Sequence, residues 1–112
     1  MEIDFTYLET VSDGDNDFIL QFIKTFEETI QALSEKMQSE LDTGDFENLG
    51  KSAHQLKPSA KMLGLVSGDH LEELQNNPES ANQEILTSIR DDCSAGLQEL
   101  IEWAKGNGIV YS

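Results

Sequence analysis

Leu49-Gly50-Lys51-Ser52-Ala53-His54-Gln55-Leu56-Lys57-Pro58-Ser59-Ala60-Lys61-Met62-Leu63-Gly64 is the stretch on which the reading of this 112-residue chain turns. Taken as a helix, Phe46, Leu49, Ala53, Leu56, Ala60 and Leu63 alternate three and four residues apart and form one narrow apolar stripe. His54 falls beside that stripe, and Lys57 stands one turn above it on the same face. Lys61 extends the face by another turn. The pattern holds an imidazole at the edge of a packed helix, facing water, with ammonium groups beside it. That setting suits a nucleophile whose product is anionic.

Charge sharpens the reading. The chain carries 22 Asp and Glu against 7 Lys and Arg, yet no acid occurs from Asn48 through Gly68. Lys51, Lys57 and Lys61 all lie inside that gap. Acids beside the histidine would repel an incoming phosphoryl group, whereas lysines attract it.

A length of 112 residues fits one domain, residues 1–112, with a single modest core. A net charge of −15 disfavours a nucleic-acid or anionic-membrane surface, since neutralising phosphates needs many basic side chains. Proteins are the expected partners. The apolar runs are only a few residues long, so neither a membrane span nor a signal peptide is expected. Cys93 is the single cysteine and lies at an apolar helical position, which excludes an internal disulfide and favours a reducing cytoplasm.

The periodicity predicts helices and no strands. A short first helix runs from about Asp4 to Val11, and Ser12-Asp13-Gly14 breaks it. Asp15 caps a long second helix reaching about Thr43, with Ile19, Phe22, Phe26, Ile30, Leu33, Met37 and Leu41 down one side. Gly44 stops it, and Asp45 at once caps the histidine helix, so the two are antiparallel neighbours. The histidine helix ends near Gly64. Ser67 opens a shorter helix carrying Leu71 and Leu74, halted at Asn76-Asn77-Pro78. Ser80-Ala81-Asn82-Gln83 reads as a capping box for a last helix through Ile85, Leu86, Ile89, Cys93, Leu97, Leu100 and Ala104, stopped at Gly106. The expected fold is all-α: an antiparallel up-down-up-down four-helix bundle with a short N-terminal helix.

Pro58 breaks the local rules. It cannot donate the hydrogen bond that the His54 carbonyl would accept, and its ring crowds that carbonyl, at a cost of roughly 3 kcal/mol in an exposed helix. It reads either as a tolerated kink or as a device that frees the carbonyl and tilts the imidazole outward; both readings can hold together.

Ala53-His54-Gln55-Leu56-Lys57, followed by small Ser59-Ala60 and by Leu63-Gly64, resembles the core motif of histidine-containing phosphotransfer (HPt) domains. The segment from Tyr7 to Asp15 before a long Phe/Ile helix, and the Thr43-Gly44-Asp45-Phe46 junction, are similar to the family as well. The resemblance spans about residues 5 to 104. It implies that His54 is the phosphorylated histidine, that Lys57 steadies the phosphoryl group, and that Gly64 is the small residue closing the motif. Family members usually place glycine or another small residue where Pro58 stands, and that position belongs to the partner-docking surface. Lys51, Gln55, Pro58, Lys61 and Gly64 are accordingly the candidate partner-binding residues. An amide commonly reaches the histidine from the following helix, and Gln75 or Asn76 could supply it.

The resemblance implies a phosphoryl carrier between receiver-domain aspartates in a two-component phosphorelay, with response-regulator receiver domains and a hybrid sensor histidine kinase as partners. Mg²⁺ belongs to the receiver, and no cofactor is expected on this chain. No Gly-rich nucleotide loop is present, so kinase activity with ATP is not expected. Two rival readings stand beside this one. The first is a non-catalytic helical adaptor that docks and sequesters receivers, and it leaves the joint presence of His54 and Lys57 unexplained. The second is an enzyme using His54 as a general base, for which no Ser, Cys or Asp partner has an evident spacing. His70 has no such company, and two histidines alone are short of a zinc site. Trp103 reads as core or lid packing, and the protein as a monomer.

Overall fold

The computed structural model describes Phe5 and residues 15–109. Four helices follow in order: α1 (Asn16–Thr43), α2 (Phe46–Met62), α3 (Ser67–Asn76) and α4 (Gln83–Gly106), with a single 3₁₀ turn at Pro78–Ser80 before α4. No strand occurs among the described residues. α1 packs on α2 and α4, and α3 packs on α2 and α4, which closes the antiparallel four-helix bundle expected from the pattern. The expected first helix, about residues 4–11, lies outside the described residues except for Phe5. The Phe5 ring stacks on Trp103 with centroids 4.8 Å apart, so Trp103 serves in packing.

Local chemistry explains where each helix starts and stops. Asp15 accepts from the backbone N–H groups of Asp17 and Phe18 at 3.0 and 3.3 Å, two donors left free by the first turn of α1. Gly44 takes the left-handed conformation, φ 72°, and lets the Asp45 N–H reach back to the Glu40 carbonyl at 2.8 Å. Asp45 then caps α2 by accepting from the Asn48 N–H and amide at 3.4 and 2.7 Å. Gly64 repeats the device at the far end of α2, with φ 70° and the Leu65 N–H on the Ala60 carbonyl at 3.0 Å.

Two sequence expectations need correction, and a third holds with an addition. The buried side of α1 contains Ile23, fully enclosed, where Phe22 was expected; Phe22 is half-buried at the margin, and Ile19, Phe26, Ile30, Leu33 and Met37 are core. The capping box at Ser80 does not form. Pro78–Ser80 is wound into the 3₁₀ turn, where the Ser80 hydroxyl donates to the Asn77 carbonyl at 2.8 Å. Asn82, extended at φ −148°, instead caps α4 through the Ile85 N–H at 2.9 Å. Ser67 does open α3, but its backbone N–H is held by the Asp92 carboxylate of α4 at 2.8 Å, a cap supplied from a neighbouring helix.

Polar bridges also tie α1 to its neighbours. The buried Ser52 hydroxyl donates to buried Glu40 at 2.8 Å, joining α2 to α1 behind the histidine face. Gln38 and Gln83 exchange amide hydrogen bonds at 2.7 and 2.9 Å between α1 and α4.

Candidate functional site

α2 is held in place by its apolar side: Leu49, Ala53, Leu56, Ala60 and Leu63 are all fully buried. A residue one position off this stripe must emerge at its edge, and His54 is exposed there. Gln55 and Pro58 are exposed, and Lys57 is half-buried. α2 runs unbroken through Pro58, whose ring faces outward rather than into the core.

A groove of about 560 Å³ opens beside the histidine, lined by Glu47, Gly50, Lys51, His54, Gln55, Gln75 and Pro78. Its far wall comes from the end of α3 and the 3₁₀ turn. A Cβ added at Gly50 would lie 3.4 Å from Pro78 and 3.5 Å from the Leu74 carbonyl, ordinary contact distances that show these segments lying directly against the histidine helix. Of the two candidate amides, Gln75 lines the groove, whereas Asn76 is exposed and does not. The Gln75 Oε1 is buried and accepts no hydrogen bond from the described residues. Glu47, Gly50 and Pro78 were not among the sequence candidates. Gly50, one turn before His54, was the available signal.

The lysines differ in their surroundings. The acid-free interval along the chain is not acid-free in space, because α3 folds Asp69 and Glu72 back onto Lys61, 3.3 and 3.5 Å from its Nζ. The hydrogen bond to Asp69, with the neighbouring Glu72 charge, holds the Lys61 ammonium above its ordinary pKa. Its stem also packs over Gly68, where an added Cβ would come within 3.1 Å. Lys51 lies 3.9 Å from Glu47, one turn back on α2. Lys57 makes no ion pair with the described residues. Gly64 lies at the end of α2, where its positive φ accounts for the glycine.

His70 sits apart, with Glu73, Leu74, Ser80 and Ile85 around a pocket of about 120 Å³. No grouping of three or more His, Cys, Asp or Glu with metal-binding geometry occurs among the described residues. No helix among them is long and apolar enough to cross a membrane.

The site can therefore offer a water-facing imidazole, an ammonium a turn away that no acid among the described residues pairs, and an amide oxygen that accepts no hydrogen bond from them. The family model described as Hpt domain matches residues 21–103, which include all of α2 and α3 and most of α1 and α4. No curated protein and no solved structure matches the chain. With most of its length matched and with the helical bundle of that family, the chain belongs to the Hpt domain family.

Proposed function

We propose that this protein is a phosphoryl carrier in a two-component relay, taking a phosphoryl group from a receiver aspartate onto His54 and passing it to the aspartate of a second receiver. The observation that carries the proposal is the exposed His54 at the groove shared with Gln75, beside a Lys57 without an ion pair among the described residues. In the first step a neutral ring nitrogen attacks phosphorus in line; the N–P bond forms as the acyl phosphate P–O bond breaks and the aspartate leaves as carboxylate. Lys57 offsets charge on the equatorial oxygens. The Gln75 Oε1 can accept the N–H of the imidazole, which fixes the tautomer and leaves the other nitrogen's lone pair for the attack. The second step is the reverse onto a new aspartate, with the receiver contributing Mg²⁺.

Lys51, Gln55 and Pro58 border or neighbour the histidine and form the docking face in this reading, with Lys61 and Gly64 at its far end. The chain acts as a single domain, a monomer in the cytoplasm, served by a hybrid sensor kinase and using no ATP itself. The adaptor reading differs in one observable. Incubation with a radiolabelled phospho-receiver should give acid-labile, base-stable label on the wild type and none on His54→Gln. Binding of the receiver without label on the wild type would establish the adaptor instead, and label persisting on His54→Gln would overturn the assignment.

A further inference from the structure

Lys51 occupies a position that the carrier reading leaves without chemistry. It lies three residues before His54 on the same helix face, about 4.5 Å along the axis, and both line the same groove. Glu47 lies a further turn back, so Lys51 stands between an acid and the imidazole. Its pairing with Glu47 is loose: the charged atoms are 3.9 Å apart, and the two side chains are 66% and 84% exposed. Such a pair is weak and readily exchanged. Lys61, by contrast, is engaged by two acids of α3 and cannot turn to the histidine without abandoning both.

We propose that Lys51 is a second phosphoryl ligand, kept near Glu47 while His54 is unmodified and drawn onto the phosphoryl group once the histidine carries it. The inference rests on the carrier reading above. Phosphorylation places about two negative charges on the face where the unmodified imidazole has none. A dianion then competes with a single carboxylate for one mobile ammonium, and the ammonium moves one turn along the helix. Glu47 thereby sets how tightly the loaded state is held: it restrains Lys51 before transfer and attracts it back when the phosphoryl group leaves. The charged groups lining the groove with His54 are Glu47 and Lys51, both from α2, with Lys57 three residues beyond His54 on the same helix, while α3 and the 3₁₀ turn contribute neutral Gln75 and Pro78.

The test loads the full chain with phosphoramidate, in which the His54 N–P bond forms as the reagent's own P–N bond breaks and ammonia departs with the proton. ³¹P NMR then gives the phosphohistidine half-life and the titration midpoint of its phosphoryl group. Lys51→Gln should shorten the half-life about three- to tenfold and raise the midpoint, because a nearby cation favours the dianion; Lys51→Arg should restore both. Glu47→Gln should lengthen the half-life and lower the midpoint, and this effect should vanish in the Lys51→Gln background. Unchanged half-life and midpoint in Lys51→Gln would overturn the proposal. So would a Glu47→Gln effect of equal size with and without Lys51, since Glu47 would then act without the lysine. A wild type that forms no phosphohistidine with either phosphoramidate or a phospho-receiver would overturn the carrier reading itself, an outcome distinct from both.

Discussion

Along α2 the three lysines beside His54 look equivalent in sequence, yet each meets a different neighbour in space: Lys61 meets two acids of α3, Lys51 one acid of its own helix, and Lys57 none among the described residues. On the proposed carrier reading, Lys57 is therefore the cation best able to serve a transferring phosphoryl group. Lys57→Ala should slow transfer roughly 10- to 1000-fold in rapid-quench measurements, as loss of one charge-stabilising donor commonly does, with the helical circular dichroism unchanged. Equal rates in both directions would reduce Lys57 to a solubilising residue. That His54 and Lys57 share one helix face was legible because spacing alone fixes it. The groove was not legible, since it depends on Pro78 and Gln75 approaching Gly50 from distant parts of the chain. The same limit left Gln75 and Asn76 undecided, and misread the acid-free interval around Lys61.

At the scale of single elements, helix boundaries followed from caps and stops that act within a few residues: Asp15, Gly44 and Asp45 each do what their chemistry predicts. Departures from the pattern have two causes, a partner from elsewhere in the fold and a competing local turn. Asp92 of α4 caps α3, and the 3₁₀ turn takes Ser80 out of the capping box. Ser52, at a polar position in the sequence pattern, is buried because Glu40 of α1 comes to meet it. Ser52→Ala would leave that carboxylate short of its hydroxyl donor and should cost about 1–3 kcal/mol in urea unfolding. Pro58→Ala should act in the opposite direction. The ring is exposed, so its removal forfeits no core packing, while the new N–H restores the bond to the His54 carbonyl. A gain of up to about 3 kcal/mol is expected; a lower melting temperature would show that the bundle is packed around the proline.

As a whole the molecule is a rod of 44 × 23 × 20 Å with a net charge of −15. The buried stripes of its helices satisfy one another, and the charge opposes self-association, so light scattering should give the monomer mass at micromolar concentration. Added salt should raise the melting temperature by screening the same repulsion. Cys93 adds a pH dependence at the alkaline end. Burial pushes its thiol up to about 11, against a partial offset from the hydrogen bond with Ser67, so the folded state retains a proton that the unfolded chain gives up. Its stabilising contribution is full below about pH 9 and is lost as pH rises toward 11, by roughly 2–3 kcal/mol; Cys93→Ala should flatten that slope. The same residue turns the bundle into its own stopwatch. An enclosed thiol that is neutral at physiological pH cannot react with an alkylating reagent until α4 separates from α3. The chain has no second cysteine to compete for the label. Alkylation kinetics will therefore count openings of the core, one molecule at a time, without any introduced probe.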